Sequence, residues 1–280
     1  MAEQEWDRVL GPRRKLFDLQ LGEILRQKDL LMLFFRRDVV SVYKQTVLGP
    51  LWFFLQPLIT SVVFTVIFGN LAQISTDGLP IFLFYLTGIT LWNYFASTVT
   101  NNANIFGANQ SVFGKVYFPR FLVPLSLVLS NLLKFSMQFM IFIGVWIYYI
   151  IQGKVDPNAW ALLLPVNLFF CTCFGLGIGL ILSAYTVKYR DLNFLVGFGI
   201  QLLMYASGII FPLSIVSEKL RIILYTNPMT SMIESTKLGF LGKGLVGAPQ
   251  LAYSYAVSLL FLFIGLILFN RKEADFIDSI

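Results

Sequence analysis

The stretch Leu51–Gln73, LWFFLQPLITSVVFTVIFGNLAQ, carries no charge over 23 residues. A helix of about 20 apolar residues crosses the hydrocarbon core of a bilayer, so this run reads as a membrane span. It lies in a charge-free interval from Lys44 to Asp77, and a second interval runs from Asp77 to Lys115. The same pattern continues to the end of the 280-residue chain, and it predicts spans at about 51–73, 80–98, 121–151, 159–186, 192–213 and 249–270. Helices are expected throughout, because strands in lipid require alternating polarity and a closed barrel. Composition agrees: 57% of residues are hydrophobic and 13% charged, against about a quarter charged in soluble domains. Mean hydropathy is +0.74.

The fold class expected is therefore an all-α polytopic membrane protein of six transmembrane helices. Residues 1–50 form a charged segment with nine Lys/Arg and seven Asp/Glu, and 271–280 a charged tail. No apolar region with a small-residue cleavage site opens the chain, so no cleaved signal peptide is expected. If both termini face the cytoplasm, the inner segments hold fifteen Lys/Arg and the outer ones five. That bias favours the arrangement by the positive-inside rule. The net charge of +6 then reports topology, not nucleic acid. There is no His, which removes His bases, His-activated nucleophiles and His metal ligands. Cys171 and Cys173 lie in an apolar run and read as buried fillers, so no metal site is expected.

Residues 28–46, KDLLMLFFRRDVVSVYKQT, read as an amphipathic helix at the membrane interface. Met32, Phe35, Val39, Val42 and Tyr43 share one face at helical spacing, with Arg37, Ser41, Lys44 and Gln45 opposite. Arg36, Arg37 and Lys44 either guide an anionic lipid headgroup or simply anchor the segment. Gly49-Pro50 then turns the chain into the first span, with Gly supplying the bend and Pro fitting the first helical turn.

At this junction the run YKQTVLGPLWFFLQPL (Tyr43 to Leu58) resembles the start of the first span in ABC-type polysaccharide exporter permeases. KVYFPRFLVPLS (Lys115 to Ser126), KYRDL (Lys188 to Leu192) and NPMTSMIESTK (Asn227 to Lys237) follow in family order, so the resemblance covers about the whole chain. It implies a homodimer in the bacterial inner membrane, paired with two cytoplasmic ATPase subunits. The cargo would be a lipid-linked polysaccharide: O-antigen, capsule or teichoic acid. ATP and Mg would belong to the partner and no cofactor to this chain. The residues agree on that last point. A phosphate loop needs G-x-x-x-x-G-K-[ST], whereas Gly107 to Val116 has six residues between its glycines and Val after Lys115.

The connector 99–119 is cytoplasmic on this topology, and Asn104 to Lys115 reads as a short helix across the span ends. The resemblance implies that it docks on the ATPase, with Asn109, Gln110, Ser111, Phe113 and Lys115 as contacts and Phe113 as the apolar anchor. Within the spans, polar or aromatic stripes recur at helical spacing. They are Trp52, Gln56 and Thr60; Asn131, Lys134 and Gln138; and Gln201 and Tyr205. Such groups face a wet path or a bundle interior, so these stripes read either as a sugar pathway or as interhelical hydrogen-bond partners. Lys134 has no acid in a neighbouring span; it either holds a phosphate or reaches Asn131 and backbone carbonyls. Gly175, Gly177 and Gly179 permit close helix approach, and a dimer seam is one place for it.

Residues 214–247 are expected to hold two short helices. Asn227-Pro228 reads as a helix cap, and Glu234 and Lys237 can pair at i, i+3. The resemblance implies that they form a re-entrant pair gating the outer exit. Two other classes are weaker fits. A self-sufficient secondary carrier usually has repeated halves and midplane titratable groups, and an integral membrane glycosyltransferase needs clustered carboxylates. Neither pattern is present in the sequence.

Overall fold

The structure is a computed structural model, and it describes residues 22, 26–44, 47–109, 118–186, 189 and 191–277. Among these residues all regular structure is helical. The helices are α1 (Lys28–Tyr43), α2 (Leu51–Phe64), α3 (Ile81–Ala103), α4 (Leu122–Ile151), α5 (Leu164–Thr186), α6 (Leu192–Tyr205), α7 (Glu218–Tyr225), α8 (Pro228–Leu241) and α9 (Ala248–Ile277). Gly49 takes φ +53° and Pro50 helical angles, so the bend into α2 forms where the Gly-Pro pair stands. α2 continues through a π-helical segment, Thr65–Leu71.

Among the described residues, four helical stretches are apolar and long enough to cross a membrane: Leu51–Leu71, Leu122–Ile151, Ala159–Thr186 and Ala248–Arg271. α3 is long enough, at 23 residues or about 35 Å. It is less apolar because it faces protein on nearly every side. Leu83 to Trp92 are all buried, and Thr87, Thr90 and Thr98 return their hydroxyls to the carbonyl four residues back. A hydroxyl satisfied by its own helix needs neither water nor a partner, so such residues are tolerated in a core helix. α6 spans only 14 residues, shorter than the uncharged run 192–213 suggested. It stops because Gly208 turns the chain with φ +69° and Pro212 follows.

α5 is the hub. Its glycines face two neighbours. A Cβ on Gly179 would lie 2.6 Å from Asn102 Cβ, and one on Gly175 3.2 Å from Thr98, both on α3. A Cβ on Gly177 would lie 2.5 Å from the backbone of Phe261 and Leu262 on α9, where Gly265 reciprocates against the Gly177 carbonyl. These glycines therefore seat helices within one subunit, not across a dimer seam. Two apolar cores result. The larger gathers around α3, and the smaller joins Phe34 of α1, Phe106, Phe118, Leu180 and Phe269 at one end of the bundle.

α1 rests on that smaller core through a second apolar face, distinct from the one expected at the membrane interface. Leu30, Leu31 and Phe34 pack inward, with Phe34 5.3 Å from Phe118, while Met32 is 59% exposed. The buried face follows the aromatic partner at Phe118, which hydrophobic spacing alone does not locate.

Candidate functional site

The inward set of Phe34 on α1 turns the next turn of that helix toward α4. Asp38 Oδ1 accepts from Arg37 Nε at 2.9 Å and from the guanidinium terminus at 2.7 Å. Its Oδ2 accepts from the buried Ser126 hydroxyl at 2.9 Å. Asp38 thereby ties α1 to α4 and offsets the Arg37 charge. From the other side, the C-terminal end of α3 contributes Asn101, whose amide donates to Asn131 Oδ1 at 3.0 Å. Lys134 Nζ donates to the same oxygen at 3.5 Å and lies 5.6 Å from the centre of the Phe53 ring on α2.

These groups line an open chamber of about 650 Å³ with mostly polar side chains around it. Its walls include Arg37, Asp38, Asn101, Asn104, Ser130 and Lys134, closed by Asn109, Asn193 and Val196. Four elements meet there: α1, the end of α3, the start of α4 and the start of α6. Ser130 and Lys134 stand at i, i+4 on one face of α4, where helical neighbours converge. The Ser130 hydroxyl is 2% exposed and has no hydrogen-bond partner. Elsewhere on α4, Asn131 Nδ2 and Gln138 Oε1 are likewise buried and unpartnered. Buried polar atoms left open in this way are uncommon. With Arg37 paired to Asp38, the Lys134 ammonium is left as the net cation of a lining otherwise built largely of neutral amides and hydroxyls among the described residues.

Of the residues singled out in the sequence, Arg37, Lys134 and Asn109 come together in this chamber and Asn131 stands directly behind it. Arg36 and Lys44 lie exposed on other faces of α1. Trp52 and Gln56 are exposed on α2, and the Thr60 hydroxyl donates to the Gln56 carbonyl at 2.9 Å. Gln201 and Tyr205 are exposed on α6. Gln110, Ser111, Phe113 and Lys115 lie outside the described residues, as does the second half of the helix expected there; the single turn Ile105–Ala108 precedes them. Asp38, Asn101, Asn104 and Ser130 were missed. Asp38 stands among the N-terminal charges in the sequence, although it is the acid that shares the chamber with Lys134. The Asn101/Asn104 pair at i, i+3 and Ser130 four residues before Lys134 were the available signals.

The opposite end of the bundle holds a second polar cluster. Asn227 caps α8 by accepting from Met229 N at 3.1 Å, with Pro228 at the first helical position. Glu234 and Lys237 pair at 3.1 Å and are almost fully buried. Lys237 also donates to the Gly208 carbonyl at 2.6 Å and sits 3.8 Å over the Phe84 ring. Asn227 donates to the Ala206 carbonyl at 3.2 Å, and Tyr85 donates to the Ile210 carbonyl at 3.2 Å. Three carbonyls of the turn after α6 are thus held by side chains from α3, α8 and the α8 cap. Met229, Met232, Ile233 and Phe240 of α8 are buried, which accounts for their apolarity. Glu234, an acid expected outside the membrane helices, is therefore part of the bundle interior. Cys171 and Cys173 are free and buried, and among the described residues no group of acids and cysteines is arranged to hold a metal.

An all-helical bundle with an apolar exterior and a cation-bearing polar chamber at one end has the build of a multi-pass membrane transport protein. The profile of the ABC-2 type transporter family matches residues 29–241, and the chain belongs to that family. It is 29% identical over 251 residues to an O-antigen export system permease protein of Klebsiella pneumoniae, covering 89% of this chain and 94% of that protein. Identity is 27% over 260 residues to an O-antigen export system permease protein of Myxococcus xanthus, covering 92% and 98%. A polysialic acid transport protein of Escherichia coli is 23% identical over 258 residues, covering 90% and 97%. The chain is accordingly a transport subunit.

Proposed function

We propose that this chain is the membrane subunit of an ATP-driven exporter that moves an O-antigen-like, lipid-linked polysaccharide across the bacterial inner membrane. Two copies line the path and two separate ATPase chains drive it. Each copy crosses the membrane six times, with α3 and the short α6 joining the four long apolar helices, and both termini lie in the cytoplasm. The cargo class rests on the end-to-end match to O-antigen export permeases at 27–29% identity, against 23% for the polysialic acid transporter.

One structural observation carries the mechanism. The interfacial helix, the end of α3 that leads into the connector, and the starts of α4 and α6 converge on the polar chamber. On the topology with both termini inside, that chamber faces the cytoplasm, where cargo is made and where ATP is hydrolysed. Arg37 and Lys134 then meet the anionic head of the cargo. A shift of the connector, delivered by the ATPase, acts on the same walls through Asn101, Asn104 and Asn109. The buried α8 stands at the outer end, in keeping with an exit gate.

A strain lacking this chain should strand completed glycan on the inner leaflet, detectable by its inaccessibility to external lectin until the cells are permeabilised. Normal surface display in that strain would end the proposal. Phe113→Asp should uncouple the pair, leaving ATPase turnover near normal while export falls to background. Undiminished export by that variant removes the connector from the drive train.

A further inference from the structure

The chain leaves α2 through two departures from ordinary helix geometry that stand side by side. Thr65–Leu71 is π-helical, a form that is rare and frequent at functional sites. Beyond it, Ala72 N donates to the Ile67 carbonyl and Ile74 N to the Phe68 carbonyl, both at 2.8 Å. Gln73, between them, has φ +51°. That is the left-handed region, which Gly visits freely and Asn or Asp tolerate better than Gln. Asp77 also has a positive φ, but it precedes Gly78 in a tight turn closed by Leu79 N on the Thr76 carbonyl at 3.0 Å. Asp-Gly suits such a turn. The strain therefore sits at Gln73, next to the π turn.

Two groups far away in sequence hold this segment. The hydroxyl of Ser214, in the turn Leu213–Ile215 beyond α6, lies 2.7 and 2.8 Å from the two carboxylate oxygens of Asp77. Lys243, in the loop between α8 and α9, donates to the Asp77 carbonyl. On the inner side Gly69 lets the π turn rest on α3, since a Cβ there would lie 2.4 Å from the Ile81 side chain. The outward side is open, with Val66, Ile67 and Leu71 exposed. A π hydrogen bond lies one carbonyl away from its α-helical equivalent, so the two forms interchange by a one-residue slip. We propose that residues 65–80 are a sprung joint, held closed by Ser214 and Lys243 on Asp77. When those two withdraw with the segments that carry them, Gln73 leaves the left-handed region and the π turn rewinds as α-helix. The C-terminal end of α2 then moves in step with the turn beyond α6. This goes beyond the export reading, because the joint is a property of the chain whatever its cargo.

Hydrogen–deuterium exchange of the full-length chain in nanodiscs reads the joint directly. Ser214→Ala/Lys243→Met removes both ties from exposed positions and should speed exchange of amides 66–74 about tenfold or more, as expected for two lost hydrogen bonds. Exchange in α5 and α9 should stay at the wild-type rate. Adding Gln73→Asn, which settles more readily in the left-handed region, should bring amides 66–74 back toward wild type. An unchanged rate there in the double variant overturns the joint, as does a rise shared equally by α5 and α9. Failure of Gln73→Asn to slow the exchange overturns the spring. In spheroplasts, Asp77→Cys/Ser214→Cys closed by a short reducible thiol crosslinker should export less than after reduction, with wild type treated alike as the control for Cys171 and Cys173. Equal export before and after reduction overturns the joint's part in transport. Each of these results leaves the export reading intact, because that reading is decided by stranded glycan in the deletion strain.

Discussion

Lys237→Met should cost about 3–5 kcal/mol of stability, the range for breaking a buried ion pair by deleting one partner. The Lys237 ammonium meets Glu234, the Gly208 carbonyl and the face of Phe84, and it is 1% exposed. Methionine fills much of the volume but leaves the Gly208 carbonyl without its donor. It also leaves the Glu234 carboxylate with the Leu245 amide, 3.0 Å from its second oxygen, and no cation. The measurement is the thermal midpoint of the purified chain in detergent, read beside export in cells. The double variant Glu234→Gln/Lys237→Met should melt closer to wild type than the single one, because removing both charges removes the unpaired one. An unchanged midpoint for Lys237→Met would show that the pair does not hold the turn after α6.

The second large effect is expected at the α5–α9 seam. Gly177→Ala places a methyl group 2.5 Å from backbone atoms of Phe261 and Leu262. A side chain in the way can rotate aside, but backbone inside a helix cannot. The helices must separate, at a cost toward the upper end of the roughly 1–3 kcal/mol typical of overpacking, or beyond it. Gly197→Ala is the control, since a Cβ there meets nothing within 4 Å. It should be neutral or slightly stabilising, because Ala is the better helix former by about 1 kcal/mol. If both variants melt alike, close approach at Gly177 is not what holds α5 to α9.

The features legible in the sequence were those encoded by nearest neighbours along the chain. Charge-poor runs mark long helices because lipid excludes charge, and they located the apolar helical stretches Leu51–Leu71, Leu122–Ile151, Ala159–Thr186 and Ala248–Arg271 to within two residues at each end. Gly49-Pro50 and Asn227-Pro228 were legible because turn and cap chemistry is local. The Glu234–Lys237 pair follows from helical spacing, although its burial does not. What remained hidden depends on partners far apart in sequence. Asp38 meets Ser126 across 88 residues, and Asn101 meets Asn131 across 30. The length of α6 was concealed because apolar residues continue past Tyr205 while the backbone turns away to bond with α3 and α8. The stripe Trp52, Gln56 and Thr60 shows the converse limit: regular spacing places residues on a common face without saying what that face meets. The three glycines of α5 were plainly packing residues, but which helices they admit depends on the rotation of α5 within the bundle.

The interlock between Gly177 and Gly265 constrains how the molecule can change shape. With main chain lying on main chain, there is no cushion of side chains to repack, so α5 and α9 behave as a single stator. Neither α2, which packs on α3 and α4, nor α6, which leans on α3 and α5 along a shorter seam, is locked in this way.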